Sequence, residues 1–320
     1  MVEGLELAVS ANDARQAFAA AVALAYVDGV DRQKAESGAT WVTLGRALLV
    51  PAQVRGSSEA IRLSNVEAVM AMRADKAADA VTLLTALEKD LTSVGMLRTV
   101  NGARLITNLS AALRESGHAA EGVDAAKRSL ALMEDLLSPN HPDVAAAVNN
   151  LGSALADLER LDEAEPYFRR SITLRETLLG PDALALATPH YNLGELALRR
   201  GDGTTALEEY GRSRAIVEKA RGSDEDDVWD AKMGEALALG VLGRHAEAVT
   251  RLDVVLPELV KRKLPAWNLA QAKLGLAGSL RALNKDPARV SALLTEVAAL
   301  EGERHAAQRA KAAALAAAGR

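Results

Sequence analysis

Asparagine and arginine, rather than any acid–base pair, are the residues whose placement suggests chemistry. Asparagine recurs at Asn108, Asn150 and Asn192, each 42 residues from the next. A carboxamide carries both a donor and an acceptor, so a row of them can pair with the backbone of an extended chain whatever its side chains. Arginines stand nearby at Arg62, Arg73, Arg104 and Arg114, and a guanidinium selects carboxylate or phosphate through charge-assisted bonds. Catalytic constellations do not emerge. Nucleotide-binding glycine loops, a nucleophile-elbow serine and an H-E-x-x-H pair are all missing from the sequence. The histidines, His118, His141, His190, His245 and His305, are dispersed. They read as ordinary exposed side chains, because a metal site needs several ligands to converge. The recurrent acidic position that includes Glu163 and Glu247 falls in the first turn of a helix, where negative charge complements the helix dipole. The run Asp224–Asp227 lacks the spaced ligands of a calcium loop and reads as a solvated loop with an N-cap. No enzyme activity, cofactor or metal is expected.

The elements that must position these residues follow from a repeat. An acidic or hydroxyl residue followed by a small one recurs as Asp79-Ala80, Glu121-Gly122, Glu163-Ala164, Thr205-Ala206 and Glu247-Ala248, again in steps of 42. A second small column precedes it at Ala68, Ser110, Gly152, Gly194 and Ala236, with Ala277 one residue short of the next step. Columns sharing one period mark a repeat architecture. Within one period, Val144, Val148, Leu151, Gly152, Leu155 and Leu158 have the spacing of one helix face. A turn follows, glycine in other copies (Gly117, Gly201, Gly243), and then a second helix from about Asp162 to Leu179 before Gly180-Pro181. The small columns are where two helices cross too closely for long side chains. Such a pair buries its apolar face only by stacking on the next pair. The expected fold is therefore all-α, a superhelical solenoid of antiparallel helix pairs.

Six small-residue anchors predict about six pairs over residues 61–300. Residues 1–60 fall outside the period and read as a helical N-terminal cap, with helices over Ala11–Val27 and Thr40–Leu49. The alanine-rich residues 301–320 read as a C-terminal capping helix. Composition agrees. Of 320 residues, 49% are apolar but only 3% aromatic, which favours helices packed through small side chains. Cysteine is absent, which excludes disulfide scaffolds and thiol catalysis. The net charge of −5 argues against nucleic acid as a partner. No stretch reaches membrane-spanning length, the acidic N-terminus does not resemble a signal peptide, and a cytoplasmic location is expected. Trp229 and Trp267 are expected between helices rather than on the surface.

Residues 141–180, HPDVAAAVNNLGSALADLERLDEAEPYFRRSITLRETLLG, strongly resemble a tetratricopeptide repeat of the 42-residue, kinesin-light-chain-like type. Val148, Leu151, Gly152, Leu155, Ala164, Phe168 and Ser171 occupy its signature packing positions. The resemblance is strongest over 104–222 and weaker on both sides. Departures include Glu159 at the turn glycine, Thr204-Thr205 at the acidic pair, and Met233-Gly234 where asparagine belongs. The resemblance implies a protein-interaction scaffold whose first helices line a concave groove for an extended peptide. Transferred by register, the groove residues are Arg62, Asn65 and Arg73; Arg104, Asn108 and Arg114; Asn149 and Asn150; and Asn192 and Arg199. The arginines predict a basic inner surface in the first two pairs and an acidic protein or peptide partner; the alternative is that they form a solvated face or pair with neighbouring carboxylates. The order of features is also similar to the C-terminal repeat regions of bacterial serine/threonine kinases. That likeness implies a regulatory or sensor module whose catalytic domain lies outside this chain, since no kinase motif occurs.

Overall fold

In the computed structural model, residues 2–31, 35–50, 52, 57–74, 76–300 and 306–317 are described. All regular structure among them is helical. The helices fall into two units, residues 1–158 and 159–320.

The first unit contains α1 (Val2–Ser10), α2 (Ala14–Tyr26), a π turn (Val27–Asp31), α3 (Ala35–Leu48), α4 (Ser58–Arg73), α5 (Ala77–Ser93), α6 (Val100–Glu115), α7 (Ala119–Leu136) and α8 (Pro142–Asp157). The second contains α9 (Leu161–Leu179), a 3-10 turn (Leu184–Leu186), α10 (Ala187–Arg199), α11 (Gly203–Arg221), α12 (Asp226–Val241), α13 (His245–Lys261), α14 (Ala266–Ala282), α15 (Pro287–Ala298) and α16 (Ala306–Ala317). Within each unit, neighbouring helices pack in chain order. Alternate helices also touch: α4 with α6 and α6 with α8 in the first, α10 with α12, α12 with α14 and α14 with α16 in the second. Each unit therefore has a layer of first helices backed by a layer of second helices, the helix-pair arrangement expected from the repeat.

The small columns are buried for the steric reason given above. Ala68, Ala80, Ser110, Ala206, Ala236 and Ala248 have no exposed surface. Ser110 Oγ donates to the Gly122 carbonyl at 2.7 Å, so the crossing of α6 and α7 is close enough for a side chain to bond the partner's backbone. A Cβ on Gly234 would lie 2.5 Å from the Tyr210 ring. That glycine makes room for a fully buried aromatic. Ser129 on α7 is buried too; its Oγ donates to the Ala103 carbonyl at 2.9 Å and shares a 2.6 Å bond with Thr107.

The turns behave as their residues require. Gly117, Gly201 and Gly243 have φ of 89°, 77° and 74°. Glu159 occupies the equivalent turn with φ of 57°, a left-handed conformation that costs a non-glycine residue about 1 kcal/mol. Pro287 opens α15 behind an Asp286 cap that accepts from Arg289 N at 2.9 Å.

The N-terminal region differs from expectation. An additional helix, α1, precedes a turn at Asn12, φ 58°. α2 begins at Ala14 because the Asp13 carboxylate accepts from the amides of Arg15 and Gln16. α3 starts at Ala35, earlier than Thr40. No helix among the described residues is long and apolar enough to cross a membrane.

Candidate functional site

The first helices of each unit carry the candidate residues. On α4, Arg62, Asn65, Val66 and Val69 are spaced three and four apart and share one face. On α6, Asn101, Arg104, Thr107 and Asn108 do the same. These faces line one cavity of ≈ 800 Å³ in the first unit, with Val22 and Tyr26 of α2 forming one wall and Asp143 of α8 another. The cavity brings together Arg62, Asn65, Arg104 and Asn108 of the ten expected groove residues. Asn108 Nδ2 donates to Asn65 Oδ1 at 3.2 Å, so the carboxamides of successive pairs do stand side by side.

The expected basic surface is largely neutralised. Arg104 pairs with Asp143 at 2.7 Å and Arg114 with Asp157 at 2.7 Å. Arg114 does not line the cavity. Arg62 is exposed and forms no ion pair among the described residues. Asn149 is buried, 5% exposed, on the packing side of α8, and offers a ligand little surface. Asn150 is half-buried and does not line the cavity. The Arg73 side chain and His305 lie outside the described residues.

Asn192 and Arg199 belong to the second unit, on α10. There the corresponding face is different. Tyr210 is wholly buried and donates its hydroxyl to Glu195 Oε1 at 2.5 Å. Tyr191 meets the Tyr210 ring edge to face at a centroid distance of 5.3 Å. Burial pushes both phenols well above their usual range, and the Glu195 charge adds to it. Asp230 accepts from Asn268 Nδ2 at 2.5 Å. Its carboxyl is pushed up to about 6, chiefly by burial and secondarily by Asp227, Asp226 and Glu195, against the opposing Asn268 bond. Arg199 lines a second cavity of ≈ 460 Å³ formed by α10, α12, α14 and α16.

His190 is not an exposed histidine. It is 5% exposed, with Nδ1 2.6 Å from Glu209 Oε2, because its position on α10 faces α11. Trp229 is partly buried, with the Lys232 ammonium 4.2 Å from its ring centroid. Trp267 is partly buried on the wall of the second cavity. The Asp224–Asp227 run is held by Arg262, which bonds Asp224 and, at 3.1 Å, Asp226. No cluster of metal ligands occurs among the described residues.

The sequence reading missed Val22, Tyr26, Val69, Asn101 and Asp143. Val69 and Asn101 lie one helical turn from Asn65 and Arg104, and Asp143 lies two turns before Asn150, so helical spacing reaches all three. Val22 and Tyr26 lie outside the period, so no register reaches them.

A tetratricopeptide-repeat family model matches residues 103–177 and 143–219. No curated protein matches the sequence. Among solved structures, the apo quorum sensor NprR from B. thuringiensis is similar with a TM-score of 0.63 at 13% identity, covering 90% of this chain and 78% of its own. The Rap conjugation gene regulator of plasmid pLS20, in complex with the Phr* peptide, gives 0.58 at 13% identity over 87% and 84%. BtubC (BKLC) from P. vanneervenii gives 0.56 at 17% identity over 73% and 92%. At these identities the likeness is one of fold.

Proposed function

We propose that this tetratricopeptide-repeat protein, of the kinesin-light-chain-like type, is a non-catalytic binding module that holds an extended acidic segment of another polypeptide against α4 and α6. One observation carries the reading: Arg62, exposed and unpaired among the described residues, stands with the bonded carboxamides Asn65 and Asn108 in a single ≈ 800 Å³ cavity. A free guanidinium offers a fork to a carboxylate. The carboxamides can exchange their mutual bond for bonds to a peptide backbone at little net cost. Arg104 is half exposed and held by Asp143, so an acidic side chain would compete with that carboxylate for it. The wall from α2 makes the N-terminal helices part of the site rather than a cap alone. A structure of the same fold holds a peptide, which agrees with this reading.

The test is an array of short extended peptides varied in charge, followed by fluorescence anisotropy on labelled hits. Acidic peptides are expected to bind, with affinity falling as salt rises. Arg62→Glu is expected to weaken them about tenfold and to favour basic variants instead. Charge-independent binding, or binding indifferent to Arg62→Glu, would overturn the assignment.

A further inference from the structure

We propose that the second unit binds a small amphipathic molecule, an apolar body carrying one N–H or O–H donor, in the cavity between α12, α14 and α16. The inference does not rest on the peptide reading, which concerns the first unit.

The cavity measures ≈ 460 Å³, within the size range of small-molecule sites. Leu237, Leu274, Leu315 and Trp267 give it an apolar wall. Against that wall stand two polar atoms in need of a partner. Gln308 on α16 lines the cavity and is 4% exposed, and its Oε1 is buried without a hydrogen bond among the described residues. His245 also lines it, and its Nδ1 is likewise buried and unpaired. A buried acceptor left unsatisfied is destabilising, because it has given up its bonds to water and gained none in return. A carboxamide oxygen can be satisfied only by a donor, which sets the polar requirement on the ligand.

Two glycines show which part of the space is open. A Cβ on Gly275 would lie 2.1 Å from Leu237 Cδ2, so α12 and α14 pack closely there and a side chain would have to displace that leucine. A Cβ on Gly278, one turn further along the same face, would meet nothing within 4 Å. Close packing therefore does not explain Gly278, and a side chain there would occupy the cavity. The charged residues at the rim are already engaged in part: Glu195 accepts from Tyr210, and Arg199 lies 3.9 Å from Glu159.

The test uses N-phenyl-1-naphthylamine, an aromatic body with a single N–H whose fluorescence rises in apolar surroundings. The full chain should bind it saturably, one probe per chain. Gly278→Phe, which fills the space, should weaken binding at least about tenfold. Gln308→Leu should weaken it about tenfold by removing the acceptor. The N-methylated probe, lacking the donor, should bind the unaltered chain about tenfold more weakly than the parent and should not distinguish it from Gln308→Leu. Circular dichroism and thermal unfolding establish that each variant is folded. Should Gly278→Phe not fold, Gln308→Leu and the two probes decide the matter alone. Lack of saturable binding, indifference to the variants, or equal affinity for both probes would each overturn the proposal.

Discussion

The two units are built on one repeat yet present different chemistry at equivalent helix positions. In the first, the α4 and α6 faces carry Arg62, Asn65, Arg104 and Asn108, all at least partly accessible. In the second, α10 and α12 carry Tyr191, packed edge to face on Tyr210, Glu195, bonded to Tyr210, and Asp230, bonded to Asn268. Gly194 and Gly234 allow the difference: both lie against the Tyr210 ring, and a Cβ would come 2.5 Å from it at Gly234 and 3.0 Å from it at Gly194. The lesson is that the small-residue columns specify how helices stack, and the residues one turn away are free to become a wet polar face or a partly buried polar cluster.

The largest expected effect breaks the second cluster. Tyr210→Ala should cost about 4 kcal/mol in urea unfolding, as the loss of a wholly buried aromatic does. Tyr210→Phe should cost about 1–2 kcal/mol, because Glu195 loses its donor while the ring stays. A full-sized loss for Tyr210→Phe would mean that the bond, rather than packing, holds the cluster.

Asp230 comes next. Its folded-state pKa of about 6 lies above the ordinary 3.8, so the folded form binds the proton more tightly. The resulting stability is complete below about pH 4 and is lost as pH rises through about 6, a change on the order of 2–3 kcal/mol. Asp230→Asn keeps an acceptor for Asn268 and should flatten unfolding free energy across that window. An unchanged profile would place the titration elsewhere.

Arg62→Glu sharpens the comparison from the other side: about a tenfold loss for acidic peptides, near 1.4 kcal/mol, with thermal stability unmoved. The smallest effect belongs to Arg104→Ala. Its pair with Asp143 is half exposed, so stability should change by less than about 1 kcal/mol. A larger loss would make the pair a structural strut rather than a replaceable contact.

The helix pairs were legible because their signals are local and repeated. Ala68, Ser110, Gly194 and Ala236 are buried for the crossing they were expected to permit, and the turn glycines adopt positive φ. The site was legible only where register reached it. Asn65 and Asn108 meet as the 42-residue step implies, whereas the adjacent pair Asn149 and Asn150 divides, one into the core and one toward the surface. His190 and its Glu209 partner are nineteen positions apart on successive helices, and a dispersed set of histidines gave no sign of that contact.

By itself, then, the order of residues determined the helical pairs, their turns and the small contacts at which they cross, since these depend on neighbours within a turn or a fixed repeat. The tertiary structure decided which arginines were neutralised by Asp143 and Asp157, which carboxylate was buried deeply enough to titrate near neutrality, and that α2 walls one cavity while α16 walls another. Those outcomes depend on charge, burial and distance between helices far apart in the chain, and no periodicity along it carries that information.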